Sequence, residues 1–143
     1  MVSRFVLALG LLAAQPAEGP DTTLRRIVAD YVGLYRQESL PEWRQLFLES
    51  FSVASTNADG SVRLRSLDEF YLAQERYLSS GRAIREVLEN VRIERRGRLA
   101  TAWADFVLTD NDVTSRGKLC LLLIAERGRW RIQSLVFAYD DAN

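Results

Sequence analysis

The apolar residues of this chain follow two different periods. Between Leu24 and Tyr35 they recur at steps of three and four residues, which is typical of one face of an amphipathic helix. From Ile84 onward they recur at about every second residue, which indicates β-strands with one buried face. The change of period predicts a first half built mainly from helices and a second half that is a β-sheet.

The expected helix ends are marked by capping residues. Ser39-Leu40-Pro41-Glu42 and Ser66-Leu67-Asp68-Glu69 both match the capping box, in which a serine and a glutamate satisfy free backbone N–H groups. They predict a second, short helix and a third helix that ends at Ser80-Gly81. The first helix is expected to be capped by Asp21 or Thr22.

Turn residues divide the remaining chain into strands. Two short strands are expected at residues 52–56 and 62–65, and four long strands are separated by turns at residues 96–97, 110–112 and 127–128. If the last turn has two residues, Leu123 lies opposite Ile132 and Leu119 opposite Val136. The same rule at residues 96–97 places Val87 opposite Phe106.

The composition fits one domain and excludes several kinds of site. The chain has 143 residues, 19 basic and 19 acidic, so its net charge gives no general attraction to nucleic acid or anionic membrane. It has no histidine, which removes histidine triads and imidazole zinc sites, and its single cysteine forms no internal disulfide. Residues 110–112 lack the glycine and distal glutamate of an EF-hand loop. We therefore expect no metal, no cofactor and no nucleic acid.

The N-terminus has the layout of a secretory signal peptide. Arg4 precedes the apolar residues 5–14, and small residues follow. The apolar run is too short to span a bilayer, so we expect no stable membrane insertion after cleavage, which we place after Ala14 or Ala17 so that the mature protein starts between Gln15 and Asp21. This predicts a signal peptide at residues 1–17, a domain at residues 21–143 and a secreted or periplasmic location. A buried N-terminal helix is the alternative.

Three stretches carry a resemblance to a known superfamily. They are Trp43-Arg44-Gln45-Leu46-Phe47 after the first helix, the segment 85–93, and Gly128-Arg129-Trp130-Arg131-Ile132 at the start of the last strand. In this order and spacing the chain resembles the nuclear transport factor 2-like superfamily, which includes SnoaL-like cyclases and ketosteroid isomerases. The resemblance implies an α+β fold in which a curved, cone-shaped antiparallel sheet wraps around three helices.

The catalytic sets of these relatives do not map onto the chain. Tyr31 matches the tyrosine that ketosteroid isomerases place on the first helix, but the base position falls at about Ser55 and the later acid at about Leu121. The histidine of SnoaL-like cyclases is replaced around Glu86. We therefore assign no catalytic residue.

Polar residues that the predicted registers place inside the cone are candidates for a ligand pocket. They are Tyr31, Tyr35, Arg85, Glu89 and Ser134, and Tyr71 is a candidate for a lid over the pocket. For Arg85 and Glu89 the alternative is a bulge near Asn90 that turns both side chains to solvent. For the first two tyrosines the alternative is an aromatic core.

The outer face of the C-terminal sheet is unusually apolar in these registers, although no helix remains to cover it. This predicts a homodimer through that face. The candidate interface residues are Trp103, Asp105, Leu122, Leu135 and Phe137. For Asp105, a functional site is the alternative.

The sequence therefore favours an exported small-molecule-binding or accessory domain with a mostly apolar cone pocket and a small apolar ligand. Two alternatives stay open. One is an isomerase, lyase or hydrolase that uses Tyr31 with Glu89 or Glu86, and the other is a dimerisation module whose cone is filled by side chains.

Overall fold

A computed structural model describes residues 19–140, which contain three α-helices, one 3-10 turn and six β-strands. The predicted signal peptide lies outside the described residues. No helix within the described range is long and apolar enough to cross a membrane. The helices are α1 (Pro20–Gly33), α2 (Leu40–Arg44) and α3 (Leu67–Leu78), and the 3-10 turn Gln37–Ser39 precedes α2. The strands are β1 (Phe47–Thr56), β2 (Val62–Ser66), β3 (Ile84–Arg96), β4 (Leu99–Asp110), β5 (Val113–Glu126) and β6 (Arg129–Tyr139).

The six strands form one curved, unclosed sheet in the order β2-β1-β6-β5-β4-β3. Four of the five neighbouring pairs are antiparallel, and β1 runs parallel to β6, so the sheet is mixed. The predicted α+β fold, a cone-like sheet with three helices, is confirmed.

The core between the helices and the sheet is rich in aromatic side chains. Trp43 is almost fully buried and donates a hydrogen bond from Nε1 to the carbonyl oxygen of Tyr31, at 2.8 Å. Its ring lies 4.6 Å from that of Phe47 and 5.6 Å from that of Phe70, in tilted or edge-on geometries that aromatic pairs prefer. This contact network joins α1, α2, α3 and β1.

Of the predicted helix caps, one forms as expected. Ser66 and Glu69 make the capping box of α3, with the Glu69 N–H donating to Ser66 Oγ at 3.3 Å. The second capping box was wrong, because Ser39 Oγ donates instead to the Leu34 carbonyl at 2.9 Å. The cap expected at Asp21 or Thr22 was also wrong: α1 begins at Pro20 and is capped by Gly19.

A bulge in β3 changes the register of the β3–β4 hairpin. Arg96 lies opposite Leu99, so the turn consists of residues 97–98, one residue later than predicted. Between Glu89 and Arg92 the register shifts, and Asn90 adopts a left-handed backbone with φ of 52°. Beyond the bulge Leu88, and not Val87, lies opposite Phe106.

A second bulge divides the β5–β6 hairpin. Near the turn Leu123 lies opposite Ile132, as predicted. The register then shifts between Leu122 and Leu123, so Leu119 lies opposite Phe137 and the predicted partner Val136 was wrong. Every residue of β6 beyond this bulge lies on the face opposite to the predicted one.

Candidate functional site

The inner face of the sheet, α1 and α3 enclose a cavity of about 460 Å³, which we call the cone cavity. This volume lies within the range of small-molecule sites. Its apolar wall includes Phe70, Phe106, Leu108, Leu119, Leu135 and Phe137. Its polar groups include Tyr31, Tyr35, Arg65, Gln74, Glu86 and Tyr139.

Glu86 is the acidic residue of this cavity. The bulge at Asn90 sets the alternation of β3 so that Glu86 shares the inner face with Leu88. The residue is half-buried, but the surface it retains faces cavities and the protein encloses its carboxyl group. Within residues 19–140 it has no hydrogen-bond partner and no ion pair. Burial therefore raises the pKa of Glu86 from 4.5 to about 7, so the group can both accept and donate a proton near neutral pH.

Two buried tyrosines of α1 and the segment after it lie beside this carboxyl group. Burial, followed by the charge of Glu86, raises the pKa of both Tyr31 and Tyr35 well above the ordinary value, so both phenols stay protonated. The Tyr35 hydroxyl donates to Gln74 Oε1 of α3. The Tyr31 hydroxyl has no hydrogen-bond partner within the described residues, which leaves its donor free for a molecule in the cavity.

Arg65 on β2 adds a positive charge to the cavity. Its Cα lies opposite that of the inward-facing Val53. The Nε atom is buried and makes no hydrogen bond with any described residue. Burial, and then the charge of Arg63, lowers the pKa of Arg65. The side chain lines the cavity and a guanidinium group only donates hydrogen bonds, so it favours a ligand that supplies an acceptor, but the buried Nε atom itself is out of reach of that ligand.

A second cavity of about 940 Å³, which we call the α1–β3 groove, lies beside the cone cavity. It runs between α1 and β3. Tyr35 and Glu86 line both cavities, so these two side chains form the wall between them.

The six predicted pocket residues separate into two groups. Tyr31 and Tyr35 line the cone cavity. Tyr71 does not: its ring packs under the Arg44 guanidinium, 5.0 Å from it. The remaining three placements follow from the two bulges. Arg85 and Glu89 point away from the inner face, as the alternative interpretation expected, and Ser134 lies beside the exposed Leu122 on the outer face.

Arg85, Glu89 and Ser134 therefore lie outside the cone cavity. Arg85 lines the α1–β3 groove. Glu89 is exposed and forms an ion pair with Arg116 at 3.6 Å. Placing Arg85, Glu89 and Ser134 inside the cone was therefore wrong. Of the two acids considered as partners of Tyr31, Glu86 is the one that reaches the cavity.

The predicted dimer face also needs correction. Trp103, Asp105 and Leu122 lie on the outer face, whereas Leu135 and Phe137 lie on the inner face, where Leu135 is 1% exposed. Placing these two outside was wrong, because the β6 bulge exchanges the two faces. The residue that takes their place outside is Val136, which is 53% exposed.

Arg65 was not predicted from the sequence as a cavity residue, and Glu86 was considered only as an alternative partner of Tyr31. The signal for Arg65 is the alternation in β2, where Arg63 and Arg65 flank Leu64 and so share one face of the sheet. The sequence feature that could have indicated the inward position of Glu86 is Asn90. Asparagine tolerates the left-handed backbone of this bulge, and the bulge decides which residues of β3 face inward.

No group of histidine, cysteine, aspartate and glutamate side chains within residues 19–140 has the arrangement needed to hold a metal ion. The chemistry available in the cone is therefore that of hydrogen-bond donors, one titratable carboxyl group and one guanidinium group.

Solved structures with the same fold come from several bacteria. A protein of unknown function from Mycobacterium tuberculosis superposes with a TM-score of 0.70 at 19% identity, covering 89% of this chain and 79% of that one. A nuclear transport factor 2-like protein of unknown function from Silicibacter pomeroyi gives 0.65 at 18% identity, covering 84% and 95%. A nuclear transport factor 2-like protein from Novosphingobium aromaticivorans gives 0.68 at 14% identity, covering 86% and 83%. At these identities the likeness shows the fold alone.

Sequence comparison supports the same grouping at the level of the family. No curated protein matches the chain. The family model described as a SnoaL-like domain matches residues 24–139, which is most of the described chain. The chain belongs to the SnoaL-like domain family, within the nuclear transport factor 2-like fold.

Proposed function

We propose that the domain binds a small, mostly apolar molecule that carries a hydrogen-bond acceptor, and that it does so in the cone cavity. One observation carries this proposal. Two polar groups of the cavity, the Tyr31 hydroxyl and the Glu86 carboxyl, have no hydrogen-bond partner within residues 19–140, and the guanidinium group of Arg65, which can only donate, lines the same cavity. Unsatisfied polar groups cost free energy, and a bound molecule with a complementary group removes that cost.

The surroundings define the ligand class. The apolar wall favours a ring or a short hydrocarbon body. The free phenol and the guanidinium are both donors, so the preferred polar group is an acceptor such as a ketone or phenolic oxygen. Glu86, with a pKa of about 7, accepts a hydrogen bond when it is ionised and donates one when it is protonated.

Two alanines provide a matched test, since each lies on a helix and lines one cavity. Ala73 on α3 lines the cone cavity, and Ala29 on α1 lines the groove. Leucine is a good helix former, so Ala73→Leu fills the cone and Ala29→Leu fills the groove without opposing either helix. Thermal shift with a panel of neutral aromatic ketones and phenols measures binding. We expect at least one compound to raise the melting temperature of the parent and of Ala29→Leu, and not that of Ala73→Leu.

A parent that responds to no compound of the panel, and from which denaturation releases no small molecule detectable by mass spectrometry, contradicts the proposal. A response that survives in Ala73→Leu and disappears in Ala29→Leu contradicts it too, because the ligand would then occupy the groove.

A second candidate function is proton transfer, favoured by the raised pKa of Glu86 beside the free Tyr31 hydroxyl. In this reaction the ionised Glu86 carboxylate takes a proton from the carbon next to a ketone. The electron pair moves to the ketone oxygen, which the Tyr31 hydroxyl stabilises, and the proton returns to carbon. The residues support this chemistry without a metal ion or cofactor as a partner in any step.

Deuterium exchange separates this enzyme from a binding domain. With a ketone from the panel in deuterated water, proton NMR measures loss of the signal next to the carbonyl. Glu86→Gln is expected to lower the exchange rate by about a hundred- to ten-thousand-fold while binding persists. Glu89→Gln, three residues away and outside the cavity, leaves the rate unchanged. Equal rates in the parent and Glu86→Gln exclude Glu86 as the base.

We also propose that the domain is a homodimer joined through its outer face. An apolar row supports it: Leu64, Ala54, Val136, Cys120 and Trp103 lie opposite one another across five strands. Trp103 is 58% exposed and Leu64 is 68% exposed. A Trp103→Lys, Val136→Glu double variant is expected to be monomeric in sedimentation equilibrium, and Val113→Lys at a hairpin end to remain dimeric. A parent that is monomeric at tens of micromolar refutes the dimer.

A secreted or periplasmic location remains our proposal and is supported by the sequence pattern around Arg4 and residues 5–14. N-terminal sequencing of exported protein is expected to start between Gln15 and Asp21. Recovery of an intact N-terminus on cytoplasmic protein contradicts the proposal.

A further inference from the structure

The α1–β3 groove is lined by three arginines, Arg25, Arg36 and Arg85. None of them makes an ion pair or side-chain hydrogen bond within residues 19–140. Other arginines of the domain have acidic partners: Arg82, for example, lies 3.1 Å from Asp110, and Arg95 lies 3.2 Å from Asp21. The groove therefore collects unpartnered positive charge.

Between these charges the groove is apolar. Val28 and Val32 line it from α1, and Leu88, Val91 and Ile93 line it from β3. Among the described residues that line the groove, Glu86 is the only acidic one. A surface that combines a hydrocarbon strip with free guanidinium groups is complementary to a molecule with an apolar tail and an anionic head.

The charges are not spread evenly along the groove. The ion pair between Asp21 and Arg95 joins the start of α1 to the end of β3, so the helix and the strand run in opposite directions. Arg36 follows the end of α1 and Arg85 is near the start of β3, which places both at one end of the groove. The apolar strip extends from there toward Arg25, and residues 25–33 of α1 alone span about 12 Å.

We propose that the α1–β3 groove is a second binding site, adjoining the cone cavity, for an amphipathic carboxylate such as a medium-chain fatty acid. The carboxylate binds between Arg36 and Arg85, and the hydrocarbon tail lies along Val32 and Ile93. Guanidinium groups bind carboxylates through paired, charge-assisted hydrogen bonds, and the tail gains from leaving water.

Two sources of negative charge lie at the end of the groove that holds Arg36 and Arg85. The C-terminus of α1 carries about half a negative elementary charge, and Glu86 adds up to one more when ionised. The two positive charges of Arg36 and Arg85 together exceed the negative charge of the helix end and of Glu86. The net positive charge at this end of the groove is larger below pH 7, because Glu86 is then mainly protonated.

Calorimetric titration of the purified protein with decanoate at pH 6 tests the proposal. Decanoate is expected to bind and decanol to bind more weakly, since decanol keeps the tail and lacks the charge. Across octanoate, decanoate and dodecanoate, affinity is expected to rise by up to about fourfold per added methylene until the apolar strip is covered.

Charge-neutralising variants locate the carboxylate. Arg36→Gln and Arg85→Gln are each expected to weaken decanoate binding by about fivefold or more, and Arg129→Gln, an exposed arginine outside both cavities, to leave it unchanged. Ala29→Leu is expected to weaken it further by filling the groove, whereas Ala73→Leu is not.

The proposal is overturned by an absence of decanoate binding, by equal affinity for decanol and decanoate, or by binding that Arg36→Gln and Arg85→Gln leave unchanged. Loss of decanoate binding in Ala73→Leu but not in Ala29→Leu also overturns it, because the acid would then bind in the cone. These outcomes are independent of whether the cone binds its own ligand.

Discussion

Each of the two long hairpins contains a β-bulge, but the two bulges turn different kinds of side chain toward the cone. In β3–β4 a bulge at Asn90 turns a charged residue, Glu86, toward the cavity. In β5–β6 a bulge in β6 turns the apolar Leu135 inward and leaves Val136 outside. One inserted residue therefore brings the titratable carboxyl group of Glu86 into the cone in the first hairpin and brings apolar side chains of the cone wall inward in the second. The side chains that form a site in this fold depend on where a strand gains a residue.

The largest effect is expected where the β6 bulge fills the core. Leu135→Ala removes a side chain that is 1% exposed and should lower the free energy of unfolding by about 2–5 kcal/mol. Val136→Ala, one residue away and 53% exposed in the single chain, should change it by about 0.5 kcal/mol or less when both variants are measured at protein concentrations low enough for the domain to be monomeric. Urea unfolding of both variants measures the difference. Similar losses would mean that the two residues do not occupy opposite faces.

The β3 bulge predicts a stability that depends on pH. Glu86 has a pKa of about 7 when folded and 4.5 when unfolded, so between these values the unfolded chain releases its proton first. Stability therefore falls as pH rises from 4.5 to 7 and stays low above it. Glutamine resembles the protonated acid, so Glu86→Gln should match the parent at pH 4 and exceed its free energy of unfolding by up to about 3 kcal/mol at pH 8.

Glu89→Gln is the control for that measurement, because this side chain is exposed and its ion pair contributes little. Its stability difference from the parent should be small at both pH values. If Glu86→Gln shows no gain at pH 8, the carboxyl group is not enclosed as described.

A smaller loss is expected where the two hairpins meet, at the pairing of β4 with β5. Gly117 of β5 lies opposite Phe106 of β4 and Tyr139 of β6. A Cβ atom at this position would overlap the Phe106 ring and the carbonyl oxygen of Ala138. Gly117→Ala should therefore destabilise the domain by about 1–3 kcal/mol in thermal or urea unfolding. A neutral result would show that the hairpins adjust to each other freely.

The smallest expected effect concerns the backbone of the β3 bulge. Asn90 has φ of 52° and donates from Nδ2 to Asp105 Oδ2 at 2.8 Å. Asn90→Ala and Asn90→Gly both remove this exposed hydrogen bond, but only alanine is strained at positive φ. Asn90→Ala should be less stable than Asn90→Gly by about 1 kcal/mol, as measured by urea unfolding. Equal stabilities would argue against the left-handed conformation.

The predictable parts of the molecule are those that depend on local pattern. The helical stripe that begins at Leu24 and the capping box at Ser66 are determined by neighbouring residues, and both are confirmed, except that α1 ends at Gly33 and leaves Tyr35 outside the helix. Strand pairing near the β5–β6 turn was also predicted, because a tight turn sets the register of the adjacent residues. The family resemblance then supplied the arrangement of helices and sheet.

The errors share one physical cause. A strand has a period of two, so a single extra residue moves every later side chain to the other face. That is why Arg85, Glu89, Ser134, Leu135 and Phe137 were assigned to the wrong faces. A bulge is stabilised by packing between distant segments, such as β3 against α1, and this information is not contained in the alternation along one strand. The position of Tyr31 depends on helix periodicity, which no bulge disturbs, and Tyr31 lines the cone cavity.

The position of β3 at the border of the sheet has a consequence for solubility. Within residues 19–140, β3 pairs with β4 on one side only. The unpaired backbone groups of such an edge strand can pair with a strand of another chain. The bulge at Asn90 interrupts the regular row of backbone groups, and the charged run Arg92, Glu94, Arg95 and Arg96 makes stacking of identical chains unfavourable. The irregularity that brings Glu86 into the cone thus also interrupts the edge along which a second chain would have to pair.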